Sequence, residues 1–238
     1  MTDLPDLVAT VLDHAAGEED IEAYGVHRLS TTIQAGTDAT MRHVGRAETR
    51  GLGIRLIRNG RLGYASTAEL DPTAISLTVQ RARANADASD IDQAQQLPAP
   101  QLADDVDGLL DPSLLHASLA DKISLVEDVA RRVVSLDPRV TALDTTEYHD
   151  EQRTVAIAST RGVQVVHQAG YVELWTDALG EDGDVRASDY SYQFGRTPRG
   201  RRSGVSGGQG SGTHGQIDGA SLRFAPRHPH RFGLPRGC

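Results

Sequence analysis

Cysteine, lysine and aromatic side chains are all scarce in this chain of 238 residues. Cys238 is the single cysteine and the last residue, so an intrachain disulfide and a cysteine-based zinc cluster are both excluded. Lys122 is the single lysine beside 23 arginines; it is expected on the exposed side of a helix, a poor place for an amine nucleophile. Aromatics make up 4% of the chain and hydrophobic residues 38%, enough for one sizeable core or two small ones with few large anchors. No apolar run approaches the roughly 20 residues that a membrane helix needs. Asp3 and Asp6 stand where a secretory signal would carry basic residues, so a cytoplasmic location is expected.

Catalytic motifs are also missing. A zinc site built on a helix needs ligands one turn apart, and there is no HExxH and no HExxxH. His149-Asp150-Glu151 is expected at a hairpin tip, where solvated polar residues are ordinary, and His228-Pro229-His230 lies in a low-complexity stretch. Gly51-Leu52-Gly53 lacks the third glycine, the lysine and the following helix of a phosphate loop. No G-x-S-x-G elbow occurs, and Ser206 and Ser211 sit among glycine repeats that would hold no triad. The acid pairs Glu18-Glu19, Asp104-Asp105 and Glu181-Asp182 are neighbours in turns and are expected to face solvent. No residue is therefore assigned a catalytic, cofactor-binding or metal role.

The net charge of −9 hides two unlike parts. Residues 196–238 hold eight Arg, one acid (Asp218) and ten Gly, a net of +7, which leaves residues 1–195 at −16. The first part has regular apolar periodicity and is expected to fold as one domain; the Arg-, Gly- and Pro-rich second part has none and is expected to be a mobile tail.

In the first part, Leu4, Leu7, Val8, Val11 and Leu12 form one helical stripe. Alternating runs follow over Leu29–Ala35, about Thr40–Glu48 and Leu52–Leu56, and Asn59-Gly60 makes a tight hairpin into Leu62–Ser66. Asp71-Pro72 caps a helix to about Ala86, striped by Ile75, Thr78, Val79, Ala82 and Ala86. Residues 87–117 read as an acidic connection with at most a short helical turn. Ser118 with Asp121 opens a second helix that Asp137-Pro138 stops. Strands follow over about Val140–His149, Thr154–Ser159, Val163–Leu179 and Val185–Phe194. The order of helix, four strands, two helices and four strands implies an α+β domain with helices covering antiparallel sheet, and its repetition suggests a duplicated unit. Arg42, Arg46, Arg50, Arg55, Arg58 and Arg61 crowd the first sheet and are expected on a solvated polar face. Tyr171 and Trp175 are expected to pack in the core.

Several stretches together resemble the N-terminal domain of the TldD/PmbA proteins, also called modulator of DNA gyrase or peptidase U62. They are Ala47-Glu48-Thr49-Arg50-Gly51-Leu52-Gly53-Ile54-Arg55, Asn59-Gly60, Gly63-Tyr64-Ala65-Ser66-Thr67, Leu70-Asp71-Pro72 and Ala82-Arg83-Ala84-Asn85-Ala86. Glu181-Asp182-Gly183-Asp184, Asp189-Tyr190-Ser191-Tyr192 and Gly195-Arg196 resemble the last strands of that domain in the PmbA (TldE) branch. The resemblance implies a cytoplasmic heterodimeric metallopeptidase acting on peptides and unfolded chains. In such a pair, zinc sits on HExxxH of a TldD-type partner and this chain is the non-catalytic subunit, holding no cofactor itself and contacting that partner and an extended peptide. The change of composition after Gly195 is what an out-of-frame reading of GC-rich DNA produces, so a truncated or frameshifted PmbA-type chain is expected. The alternative reading is a nucleic-acid-binding adaptor acting through the tail; against it stand the acidic body and a tail whose aromatics are only Phe224 and Phe232.

Overall fold

The computed structural model describes residues 3–100 and 106–196. Helix α1 (Leu4–Val11) is capped by the Asp3 carboxylate and runs into a 3-10 turn, Leu12–His14. Strands β1 (Asp20–Ala35), β2 (Met41–Arg58) and β3 (Arg61–Thr67) follow, then helices α2 (Pro72–Ala88), α3 (Pro112–His116) and α4 (Leu119–Leu136), and strands β4 (Val140–Ser159), β5 (Gln164–Asp182) and β6 (Val185–Gly195). They form one antiparallel sheet in the order β3-β2-β1-β4-β5-β6. The fold is α+β.

The local signals that terminate elements act as the sequence implies. Asn59 and Gly60 both adopt positive φ (51° and 69°) in the β2–β3 turn. Asp71 accepts hydrogen bonds from the Thr73 and Ala74 amides at the start of α2, and Ser118 accepts one from the Asp121 amide at the start of α4.

Each half holds three strands rather than the expected four, because the breaks read near Gly51 and at Asp150-Glu151 do not occur. The sixteen-residue β1 pairs on one side with β2 and on the other with β4, from Glu22↔Ser159 to Ala35↔Thr146 without a shift. Hydrogen bonding to that shared central strand keeps glycine-containing and acidic stretches extended, overriding their local turn preference. The repeating unit is therefore one helix plus a three-strand meander, α1-β1-β2-β3 and α4-β4-β5-β6.

Two apolar clusters lie under the helices. One gathers Leu7, Val8 and Val11 of α1 and Ile75, Val79, Ala82 and Ala86 of α2 on Ile21, Ala23, Leu52, Ile54, Leu56, Ala156 and Ala158. The other gathers Leu114, Val126, Val129, Ala130 and Val133 on Ile33, Ala35, Leu143, Tyr148, Val172, Leu174 and Ala178. The strand residues of both clusters share one face of the sheet, since Ala23 pairs with Ile54 and Ala158, and Ile33 with Tyr148. Helix α2 comes so close to β3 that a Cβ on Gly63 would lie 1.8 Å from the Ala82 carbonyl oxygen. No helix among the described residues is long and apolar enough to cross a membrane.

Candidate functional site

The sheet is incomplete along one border. β3 pairs only with Leu52–Arg58 of β2, because the chain leaves the sheet after Thr67 and Asp71 starts α2. Among the described residues no strand pairs with the outer edge of residues 41–51, and alternate backbone N–H and C=O groups there point away from β1. Most of this stretch is exposed. The side chains of Val44, Arg46, Glu48 and Arg50 project from the helix-bearing face, as their pairing with Ile33, Thr31, Leu29 and His27 of β1 requires, whereas Arg42 is the unpaired residue at the register shift. The odd-numbered ones, His43, Gly45, Ala47, Thr49 and Gly51, are mostly small and lie on the other face. Glu48 is held by the His27 imidazole (2.9 Å) and by the Arg50 guanidinium. The hydrogen bond from His27, followed by that from Arg50, keeps its carboxyl below the ordinary glutamate value. Arg42 donates to the Asp144 carbonyl oxygen at 2.7 Å.

The opposite face of the sheet carries a row of aromatic and polar groups. His149 Nδ1 lies 3.0 Å from Thr32 Oγ1, and its ring centroid lies 5.8 Å from that of Tyr171, which in turn stacks on Phe194 at 5.7 Å. The Tyr192 hydroxyl donates to Glu173. Tyr171 and Trp175 thus stand on this face rather than in the core, where Val172 and Leu174 point instead. Period-two alternation separates the two sets, but which set is covered depends on where the helices pack.

Two expectations about charged residues are corrected. His149-Asp150-Glu151 lies within β4 and not at a hairpin tip, so its side chains alternate between faces, and Asp150 is buried. Lys122 is buried as well, with its ammonium 2.5 Å from Asp150 Oδ2. The Tyr148 hydroxyl donates to the same carboxylate oxygen at 2.7 Å, and Thr31 Oγ1 lies 3.4 Å from the lysine. Burial, then the Asp150 hydrogen bond, pushes the Tyr148 phenol far above its ordinary value. The signal for this network was present in the sequence: Lys122 stands four residues before Val126 and seven before Val129, on the apolar stripe of α4. All of its polar groups are mutually satisfied, which describes a buried structural pair and leaves no group directed at a ligand.

The remaining candidates separate in the same way. Glu18 is exposed, whereas Glu19 is buried and bonded by Arg83 at 2.7 and 2.8 Å, with Arg58 at 3.4 Å. The Arg83 hydrogen bond outweighs burial and lowers the Glu19 pKa. Glu181 and Asp182 face solvent and pair with Arg186 and Arg139. The arginines of β2 and β3 do not form one solvated face. Arg55 pairs with Glu22 at 2.9 Å, and Arg58 and Arg61 tie β2 and β3 to the end of α2 through Asp87 and the Ser89 carbonyl. Gly51 and Gly53 lie within β2; a Cβ on Gly53 would meet the Tyr64 hydroxyl at 2.7 Å. Asp104-Asp105, Ser206, Ser211, His228, His230 and the tail from residue 197 lie outside the described residues. Among the described residues no three His, Cys, Asp or Glu side chains converge to hold a metal ion.

Two family models match the chain, the PmbA/TldA metallopeptidase domain 1 over residues 22–86 and the PmbA/TldA metallopeptidase central domain over residues 112–218. The first spans β1 to α2; the second begins at α3 and continues past Gly195. The chain belongs to the TldD/PmbA family. Solved structures with a similar fold include a protein described as a modulator of DNA gyrase from Thermotoga maritima (TM-score 0.70, 16% identity, 83% of this chain and 43% of that one). TldE from Thermococcus kodakarensis is also similar (0.67, 16%, 81% and 43%), as is another protein described as a modulator of DNA gyrase, from Bacteroides thetaiotaomicron (0.64, 19%, 79% and 44%). The chain spans less than half the length of each. No curated protein matches it.

Proposed function

We propose that this chain is the scaffold portion of a non-catalytic, PmbA/TldE-type subunit of a metallopeptidase assembly that acts on peptides or unfolded chains in the cytoplasm. The observation that carries this reading is that both family models matched, over residues 22–86 and 112–218, are metallopeptidase domains. The fold shared with TldE supports the assignment to that branch. In such an assembly the hydrolytic zinc belongs to a TldD-type partner subunit, and this chain contributes sheet surface and edge.

The test is reconstitution. The purified chain, stripped of metal and given zinc again, is expected to leave an unfolded polypeptide intact; mixed with a TldD-type subunit, it is expected to form a complex whose zinc content equals that of the partner and which cleaves the same polypeptide. Zinc-dependent hydrolysis by the chain alone, or failure to associate with any TldD-type subunit, overturns the proposal.

A further inference from the structure

Trp175 is the single tryptophan of the chain, and it stands among carboxylates on the face of the sheet away from the helices. Strand pairing fixes its neighbours. Glu147 of β4 and Tyr192 of β6 lie directly opposite it on its two sides, and Glu173 and Asp177 lie two positions before and after it on β5. Tyr190 lies opposite Asp177, and Phe194 opposite Glu173. Half of the chain's aromatic side chains, Tyr171, Trp175, Tyr190, Tyr192 and Phe194, thus share one corner of one face. No core accounts for them. The helix residues of both apolar clusters pack on the other face, and Tyr190, Tyr192 and Phe194 are 71%, 49% and 54% exposed.

The charge of this corner selects its occupant. Other acids of the same face have partners: Glu22 pairs with Arg55, Glu151 with Arg28 and Glu181 with Arg186. Glu147, Glu173 and Asp177 form no ion pair with any described residue; Glu147 accepts a hydrogen bond from the Gln34 amide, and Glu173 one from the Tyr192 hydroxyl. Arg153 of β4 shares the face but lies opposite Ala169, four positions from Glu173 along β5. Arg42 donates to the Asp144 carbonyl oxygen instead. An aromatic ring bordered by carboxylates suits a guanidinium, which stacks on the ring and donates its fork to the acids. The same charge repels nucleic acid, and a second copy of this corner would set carboxylate against carboxylate. Glu173, Trp175 and Asp177 follow one another at about 6.6 Å, the interval between same-side residues of an extended segment.

We infer that the aromatic and acidic corner around Trp175 is a docking surface for a partner-protein segment that presents arginines at alternate positions. The outer guanidiniums meet Glu173 and Asp177, and the middle one meets the Trp175 ring between Glu147 and Tyr192. Contact is made through side chains on the sheet face, so the backbone of the segment pairs with no strand. Docking requires neither zinc nor a TldD-type subunit, and failed reconstitution of the peptidase assembly leaves it untouched.

The experiment titrates the full chain with an acetylated, amidated heptapeptide of alternating serine and arginine and follows the emission of Trp175, the only indole present. A saturable change is expected, with affinity falling at least tenfold between about 20 and about 200 mM salt. A serine–glutamate heptapeptide is expected to leave the emission unchanged. The serine–arginine peptide N-methylated at alternate backbone amides is expected to bind as tightly as the unmodified one. The triple variant E147Q/E173Q/D177N breaks no ion pair and keeps acceptors for Gln34 and Tyr192; it is expected to show unchanged circular dichroism and to bind at least tenfold more weakly. Absence of a saturable change, or equal binding by the triple variant, overturns the inference. Loss of binding on N-methylation assigns the peptide to a strand edge and overturns it too. A salt-dependent change of Trp175 emission in the chain alone, lost in the triple variant, assigns the face to residues 197–238 of the same chain and overturns the choice of a partner.

Discussion

Lys122 is the residue whose environment departs furthest from its type. Its ammonium, the Asp150 carboxylate and the Tyr148 hydroxyl are enclosed between α4 and the sheet, so each charge depends on the other for the solvation it lost. Replacing Lys122 by Met leaves a buried carboxylate with one phenolic donor and is expected to cost about 3–5 kcal/mol in urea unfolding. The double variant K122M/D150N, which removes both charges and keeps an acceptor for Tyr148, is expected to recover a substantial part of that loss; a double variant as unstable as the sum of the single ones contradicts the pairing. Glu19 gives a pH signature. Its folded pKa is depressed by Arg83 below the ordinary value of 4.5, so the ionised form stabilises the fold. That contribution is fully present above pH 4.5 and disappears as pH falls through the folded value. The stability difference between the native chain and E19Q, expected to be about 1–2 kcal/mol at neutral pH for a pair whose arginine is partly exposed, should shrink steadily below pH 4.5. A difference independent of pH in that window would exclude Glu19 as its source.

At the scale of elements, the approach of α2 to β3 depends on Gly63. A Cβ added there would stand 1.8 Å from the Ala82 carbonyl oxygen, and the obstacle is helix backbone, not a flexible side chain. Gly63→Ala should force the helix outward and cost on the order of 3 kcal/mol, near the upper end for overpacking, as read from thermal unfolding. A neutral effect would show that α2 can shift freely on the sheet. The contrast with β2 is instructive. The same strand is covered by α2 and β3 over its second half, while among the described residues no strand pairs with the outer edge of its first, because the Asp71 cap turns the chain into a helix before β3 can run its full length. The open edge is thus a consequence of a capping residue that lies well beyond Gly51, the nearest part of the edge it exposes.

For the molecule as a whole, two apolar clusters share one sheet through the β1–β4 pair. Separate clusters would permit separate unfolding, but fourteen consecutive pairings between their central strands couple them. Ile54→Ala, placed entirely in the first cluster, is therefore expected to destabilise the chain by about 2–5 kcal/mol. The unfolding free energy reported by Trp175, which lies in the second unit, should fall by the same amount. Two resolved transitions, with the Trp175 signal unmoved, would show independent halves.

Element type and termination were written locally. The Asp71 and Ser118 caps, the Asn59-Gly60 turn and the apolar stripes of α1, α2 and α4 each depend on interactions within a few residues, which is why the α+β class and the starts of α2 and α4 could be read directly. Strand length was not local: the extension of β2 through Gly51 and of β4 through Asp150-Glu151 came from hydrogen bonding to β1, whose partners lie far apart in sequence. Burial of Lys122 likewise required a carboxylate that only the folded sheet brings beneath α4, since a charge enters a core only where its counter-charge already waits. The edge of β2 that no described residue pairs with was decided the same way, for whether a strand has a neighbour is a property of the whole sheet and of no segment within it.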